Sequence, residues 1–518
     1  MNQKIHSSNS SIFNSVKKVG GWTGISRVFG LIRDITTTSL LGASVFHDIF
    51  VITLKIPNLF RSFFAEGAFN QGFIPVYSDF QKNGIEKDTK EFINSLAGTF
   101  VGILFIFTII GLVFTPIFIF IFAPGFYFDN VKRELAVSIL RIMFPYLALI
   151  SLVAFAAGIQ NTHGKFSLPA STPIIFNISL IIAAVFLAPM FAIPVFALAW
   201  GVLAAGFMQL AIQALPLKQI NRLPIPRIDL SNEGSKKVFT LMIPAILAGG
   251  IIQINSLIDT IFASLLVTGS PTWLYVSDRL IQFPMGIFAI AIGTVLLPAL
   301  SKIDFDNNKN EFITSLKKGQ RFVLFIGIPS FIGLAFCSVD IVSTLFYRGE
   351  FSEYDVNQAS LSLIAISFGL PFFMLMKVLT PAFFARKDTK TPMYIALVSL
   401  LLNASLNYLL AFVFNYGHVG IAVGSSIAGF VSIIILEIIL VKKNIVKLQN
   451  PFNRFNFSIL ASSISLTIFL YVSSFFINFI DLSELERVFY LLLKIFLAII
   501  IYLGIARLIN LKPLREIF

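Results

Sequence analysis

GGWTGISRVFGLIRDITTTSLLGASVFHDIFVITLKIPNLFRSFFAEGAFNQGFIPVYS, residues 20–78, is apolar enough to sit in a bilayer. Yet it carries Arg27, Arg33, Asp34, Asp48, Lys55, Arg61 and Glu66. A charge at the centre of a membrane helix costs roughly 2.5–3.5 kcal/mol on insertion scales, so such residues face a partner or a water-filled cavity. Two consecutive spans with this charge load are expected to line a hydrated, largely cationic cavity built for something anionic.

Composition sets the class around that stretch. Of 518 residues, 56% are hydrophobic and 13% charged, against about 25% charged in average soluble domains. Apolar runs able to cross about 30 Å of hydrocarbon recur from Gly20 to near Asn510, with no gap the size of a soluble domain. The fold class is an all-α polytopic membrane protein. Hydropathy predicts about fourteen transmembrane helices, near 20–42, 46–76, 93–122, 135–160, 168–189, 193–216, 238–266, 272–300, 320–345, 357–385, 392–414, 418–441, 456–480 and 487–509.

Charge placement sets the orientation. With the start inside, the even-numbered connections hold Lys82, Lys87 and Lys90, then Lys165, then Lys218, Arg222, Arg227, Lys236 and Lys237. Further along they hold Lys302, Lys309, Lys317 and Lys318, then Arg386, Lys387 and Lys390, then Lys442, Lys443, Lys447 and Arg454. The other side has little beyond Lys132, Arg133, Arg348 and Arg487. This is a positive-inside pattern with both termini cytoplasmic. It accounts for the net charge of +13 without nucleic acid as a partner. The single cysteine, Cys337, excludes an intramolecular disulfide and is expected to serve helix packing. The start, MNQKIHSSNSSIFNSVKK, has no small-residue cleavage site after a short apolar core, so no removable signal peptide is expected.

An internal repeat organises the spans. Asp34, Ser39, Leu40 and Leu41 match Asp259, Ser264, Leu265 and Leu266 at an offset of 225. Pro75 and Ser78 match Pro298 and Ser301 at 223. Two halves of six spans share one orientation, so the repeat is parallel and the substrate path is expected between the halves. The expected organisation is a cytoplasmic segment (1–19), an N-lobe (20–217), a cytoplasmic linker (218–237) and a C-lobe (238–444). Residues 445–518 then hold the last two spans and a cytoplasmic C-terminus.

Gly20, Gly24, Arg27, Asp34 and Thr38 share one stripe of the first helix, where small residues let a neighbour or ligand approach. Asp48, Lys55, Asn58 and Ser62 share a face of the second, and Pro57 is expected to kink it. The eighth span adds Asp278 and Arg279, and the tenth adds Lys377. One reading is internal pairing, Arg27 with Asp34 or Lys55 with Asp48, because buried charges are normally paired. The other is that Arg27, Arg33, Arg61 and Arg279 offer guanidinium forks to a phosphate or diphosphate. A second, polar cluster comprises Asp259 with Asn403 and Asn407, joined by Ser425 or Ser426. It supplies oxygen ligands suited to a small monovalent cation such as Na+, or else hydrogen bonds between packed helices. There is no GxxxxGK[ST] loop, no metal spacing among His6, His47, His163 and His418, and no nucleophile–base set. The chain reads as a transporter without a nucleotide motor or cofactor, drawing on an ion gradient, the membrane potential or the substrate's own gradient.

Several strings then become specific: SRVFGLIRD (26–34), KIPNLFRSFFAEGAFNQGFIP (55–75), SDRLIQFPMGIFAIAIGTVLLPALS (277–301), LFYRGEF (345–351) and KVLTPAFFARKDTKTP (377–392). From about residue 20 to its end the chain closely resembles the MurJ (MviN) family of lipid II flippases. Relatives in the multidrug and polysaccharide exporter superfamily share two six-helix halves but not these strings. The resemblance implies fourteen helices, a cationic central cavity, and a groove from the last two helices for a polyprenyl tail. It implies transport of undecaprenyl-diphosphate-linked disaccharide-pentapeptide from the cytoplasmic to the outer leaflet of the inner membrane, for peptidoglycan synthesis and cell shape. Cell-wall synthesis enzymes are the implied partners.

By motif, the family's arginines match Arg27, Arg33, Arg61 and Arg279, with Asp48 as an important acid; Asp34, Lys55 and Glu66 are further substrate-binding candidates as charges of the first two spans. Many members have paired arginines at 61–62, whereas here the second is Ser62, which leaves the role to Arg61. On this reading the two lobes rock about a fixed site. Moving a net −2 charge outward is worth roughly 4.6 kcal/mol at 100 mV, from about 2.3 kcal/mol per charge. Three alternatives carry their own signatures. Cation-coupled export of drugs predicts an acidic, aromatic cavity, and export of another polyprenyl-linked oligosaccharide by the same superfamily stands beside it. A membrane enzyme on polyprenyl phosphates needs clustered acids, for which Asp278 and Glu66 are the candidates. A scaffold for the wall-synthesis complex tolerates loss of all four arginines.

Overall fold

Helices are the regular elements among the described residues, the outcome hydrocarbon imposes, because each span must satisfy its own backbone N–H and C=O groups. The computed structural model describes residues 2–61, 68–82, 85–229, 231–305, 307–446 and 453–509. The chain forms two compact units, Met1–Leu265 and Leu266–Phe518. The first holds α1 (Asn2–Leu41), α2 (Val45–Arg61), α3 (Ala68–Lys82), α4 (Glu86–Val113), α5 (Thr115–Phe122) and α6 (Pro124–Tyr127). It continues with α7 (Asn130–Met143), α8 (Tyr146–Thr162), α9 (Ser167–Ile182), α10 (Val195–Gln219) and α11 (Glu233–Ser264). The second holds α12 (Ser270–Pro284), α13 (Ile290–Lys302), α14 (Lys309–Phe336), α15 (Ser338–Phe346) and α16 (Glu353–Ser367). It ends with α17 (Leu370–Phe384), α18 (Lys390–Tyr408), α19 (Gly417–Lys442), α20 (Arg454–Ser474) and α21 (Glu484–Leu508).

Eleven of these helices or continuous helix pairs are long and apolar enough to cross a membrane. The other three expected spans correspond to α1, to α2 with α3, and to α11, which carry Arg27, Arg33, Asp34, Asp48, Lys55 and Asp259. The bilayer-crossing stretches are not all single rods. The third expected span breaks at Phe114, the fourth at Phe144–Pro145, and the tenth at Phe368–Gly369. In contrast, α2 continues through Pro57, and α1 begins at Asn2, so residues 2–19 extend the first helix.

The parallel repeat is written into the element order. Glu86 and Lys309, Thr115 and Ser338, Asn130 and Glu353, and Ser167 and Lys390 each begin matching helices 223 residues apart. The left-handed turn residues repeat at the same interval, Gly164 with Lys387 and Asn221 with Asn444. Asn and Gly suit such φ > 0 positions, whereas Lys387 is a strained choice there. Even the π turns recur, Ala183–Leu187 after α9 and Leu409–Val413 after α18.

In the first unit α1 packs on α9, α2 on α7, α8 on α10, and α3 on α11. The domain boundary thus falls after α11, although the repeat register makes α11 the counterpart of α1. Phe69, Phe73 and Tyr77 lie at i, i+4 spacing, so they form one stripe of α3. All three are fully buried. Their rings stack at 5.1 Å centroid spacing, and Phe155 meets Phe69 and Phe73 edge-on. Many phenylalanines in this unit thus serve packing. The connection after α10 lies along α4. Asn94 Oδ1 accepts from Ile225 N at 2.8 Å, Asn94 O accepts from Arg227 N at 3.0 Å, and Ser95 Oγ donates to Asp229 O at 3.0 Å. A Cβ on Gly98 would lie 2.2 Å from the Arg227 carbonyl, so this close approach requires glycine.

In the second unit α12 packs on α16, α14 on α17, α18 on α19, and α20 with α21. The last pair is tied to the rest through α14 and α15. Lys494 Nζ on α21 meets Asp340 Oδ2 on α15 at 2.7 Å, and both side chains are largely buried. Arg487 is buried as well, donating to the carbonyls of Phe479, Tyr347 and Ile480. Cys337 sits in the apolar cluster with Phe325, Ile332, Phe455 and Ile459.

Two outcomes follow. Removing one member of a buried ion pair strands the other, at a cost of about 3–5 kcal/mol. Lys494→Ala is therefore expected to lower the thermal unfolding temperature sharply, while the double change Lys494→Met with Asp340→Leu recovers most of the loss. In the connection before α18, partial burial works to raise the Asp388 carboxyl. Hydrogen bonds from Lys443 Nζ (2.5 Å), Thr391 N and Thr391 Oγ1 outweigh it and hold the pKa at about 2. A depressed carboxylate contributes stability above its unfolded value of 3.8 and loses it as pH falls through about 2. Asp388→Asn is expected to destabilise the protein at neutral pH and to match wild type near pH 2, as read by melting curves across pH.

Candidate functional site

The polar centre of the first unit is built where α1 meets α9. Gly30 faces α9, where a Cβ would make an ordinary 3.6 Å contact with Asn177 Nδ2. Gly20 and Gly24, expected to mediate close packing, are exposed with nothing within 4 Å of a built Cβ. At the interface Arg33 donates from Nη2 to Asp34 Oδ1 at 2.6 Å and from Nε to the same oxygen at 2.9 Å. Its Nη1 donates to Asn177 Oδ1 at 2.9 Å, and Asn177 Nδ2 donates onward to Ser26 O at 3.0 Å. Arg33 and Asp34 are both buried, and the guanidinium also lies over the Phe176 ring. The carboxylate of Asp34 thus serves Arg33, its sequence neighbour.

Arg27, one to two turns earlier on α1, is half-buried and has no hydrogen-bond or ion-pair partner among the described residues. On α2, Asp48 is buried, and Lys55 is half-buried and donates from Nζ to Thr260 Oγ1 on α11 at 3.0 Å. Arg61 closes the last turn of α2 and is half-buried. Glu66 and Ser62 lie outside the described residues. Asp259 is half-buried on α11, in this same unit.

The second unit carries its own cationic group. Arg279 on α12 is half-buried, donates from Nη2 to Tyr275 Oη at 3.2 Å and from Nη1 to Gln282 Oε1 at 3.3 Å, and lies over the Tyr275 ring. Gln282 Nε2 in turn donates to Asp278 Oδ2 at 2.6 Å. Lys377 on α17 is exposed, without a hydrogen-bond partner among the described residues. On α18, Asn403 and Asn407 are fully buried, and Ser425 Oγ donates to Asn403 Oδ1 at 3.3 Å. Among the described residues, no three His, Cys, Asp or Glu side chains come together as a metal site.

Sequence reasoning did not single out Asn177, Thr260, Tyr275 or Gln282. Each is an uncharged polar residue one helix away from a charge or one turn along from it. A lone asparagine in an apolar helix was the available signal for Asn177.

Comparison with known proteins places this arrangement. A family model described as "Lipid II flippase MurJ" matches residues 37–490. The chain is 38% identical to the "Probable lipid II flippase MurJ" of Haemophilus influenzae, over 93% of this chain and 96% of that one. It is 39% identical to the Vibrio cholerae protein of the same name, over 81% of each. A solved structure titled "Lipid II flippase MurJ, inward closed conformation" superposes with a TM-score of 0.80 at 27% identity, covering 95% of this chain and 98% of that one.

The α1–α9 contact yields a direct check. Asn177→Ala deprives buried Arg33 of one acceptor, expected to cost about 1–3 kcal/mol. The measurement is the thermal stability of purified protein, with Asn177→Ser expected to lose less.

Proposed function

Because the chain belongs to the MurJ family of lipid II flippases, we propose that it carries lipid II, the undecaprenyl-diphosphate-linked peptidoglycan precursor, from the cytoplasmic to the outer leaflet. It is a multi-pass membrane transporter and not an enzyme. The match of one family model across residues 37–490 carries this reading. Its membrane is the bacterial cytoplasmic membrane, with both termini inside.

The chemistry of the site supports a diphosphate as the group recognised. A headgroup with bare phosphate charges cannot enter hydrocarbon without compensating donors. In the first unit Arg27 offers a guanidinium that no described residue engages, and Arg61 stands at the end of α2. In the second unit Arg279 donates to Tyr275 and Gln282, contacts that orient its guanidinium fork. Guanidinium forks match phosphate oxygens in pairs. Arg33 has the opposite character: its charge is met by Asp34, so it holds α1 to α9 and shapes the wall on which Arg27 stands. The membrane potential, negative inside, favours outward movement of the anionic headgroup.

Leaflet-resolved measurement of lipid II in a depletion strain tests the reading. Wild type is expected to clear lipid II from the cytoplasmic leaflet. Arg27→Glu is expected to leave it there while inserting at normal levels, and Arg27→Gln to slow clearance about tenfold or more, the loss of one charge-assisted contact. Normal clearance by Arg27→Glu would count decisively against a diphosphate contact at this residue.

A further inference from the structure

We propose that the connection from Arg222 to Asp229 is a membrane-interface anchor. Its outward apolar side chains seat in the headgroup–acyl boundary of the bilayer, and Arg227 contacts lipid phosphate.

The segment reads RLPIPRID, with apolar residues alternating around two prolines. Its backbone is turned inward. The N–H groups of Ile225 and Arg227 go to Asn94, and the Asp229 carbonyl goes to Ser95. Pro224 and Pro226 have no N–H to satisfy. Irregular backbone is tolerated at membrane depth only where protein or interfacial water meets its polar groups, and here α4 meets two N–H groups and one carbonyl. The apolar side chains face the other way. Leu223 is 44% exposed, Ile225 71% and Ile228 74%. In water this would be an exposed patch at a loop tip, the kind that marks a membrane or protein contact.

The level of the segment selects the membrane. It is bonded to α4 at Asn94 and Ser95, one turn beyond Glu91, the last charge before Asp129. From Asn94 to the end of α4 at Val113 the helix rises about 30 Å, the thickness of the hydrocarbon core. Ile225 and Ile228 therefore project where α4 leaves hydrocarbon. Gly98 keeps the segment at that level, because any side chain there meets the Arg227 backbone.

The surrounding charge fits a phosphate layer. Lys87, Lys90, Lys218, Arg227, Lys236 and Lys237 are exposed around the segment. Of the nearby acids, Glu86 is engaged by Arg222 at 2.9 Å, leaving Asp88, Glu91, Asp229 and Glu233. Arg227, between two apolar anchors, has a stem that can lie along the acyl boundary with its head among phosphates.

The test uses the full-length chain with Cys337→Ala and a single environment-sensitive label at Ile225→Cys, Ile228→Cys or, as a polar reference, Lys237→Cys. Protein in nanodiscs of phosphatidylcholine and phosphatidylglycerol is read with a quencher on the upper acyl chain. The two isoleucine positions are expected to show blue-shifted emission and quenching at least about twofold above the reference, as an interfacial apolar insertion requires. Adding Arg227→Glu is expected to cut that quenching, and Gly98→Val to shift it towards the reference as the segment leaves α4. Water-like emission at both isoleucines would overturn the anchor and assign the patch to a soluble partner. Quenching that Arg227→Glu leaves untouched would overturn the phosphate contact. All three label sites are exposed, so folding is not at stake in the readout.

Discussion

A cation inside a bilayer-spanning helix must meet donors' natural counterparts, either within the protein or on something passing through. This chain meets three such cations within the protein. Arg33 is met by Asp34 and Asn177, Lys494 by Asp340, and Arg487 by three backbone carbonyls. These residues are buried, and each joins two elements: α1 to α9, α21 to α15, and the α20–α21 turn to the end of α15. Arg27 is half-buried and without such a partner among the described residues. Arg279 donates to Tyr275 and Gln282.

Much of this was legible in the residues. The fold class and most spans follow from hydropathy because apolar length is a compositional property. The repeat was visible from a few matched residues, and its offset of 223 recurs in helix starts and in left-handed turns. What stayed hidden is local. Stripe geometry placed Arg27 and Asp34 on one face, but the Arg33 side chain reaches its own neighbour's carboxylate while α9 supplies Asn177. Helical spacing cannot foresee that, since it ignores side-chain reach and the identity of the opposing helix. The break at Phe144–Pro145 and the π turns fell inside continuous apolar runs, where hydropathy has no contrast. The glycines expected to receive a neighbour, Gly20 and Gly24, stand open. In α11, sequence register and packing point different ways: it repeats α1 yet packs on α3 within the first unit.

The distance along the chain between Arg33 and Asn177 also bears on biogenesis. During synthesis the first helix emerges with two guanidinium groups and a carboxylate, while the amide that completes the Arg33 cluster lies 144 residues downstream. Until α9 is made, α1 lacks that acceptor and is a poor candidate for stable residence in lipid by itself. Completion of the Arg33 cluster thus waits on synthesis of a helix 144 residues downstream.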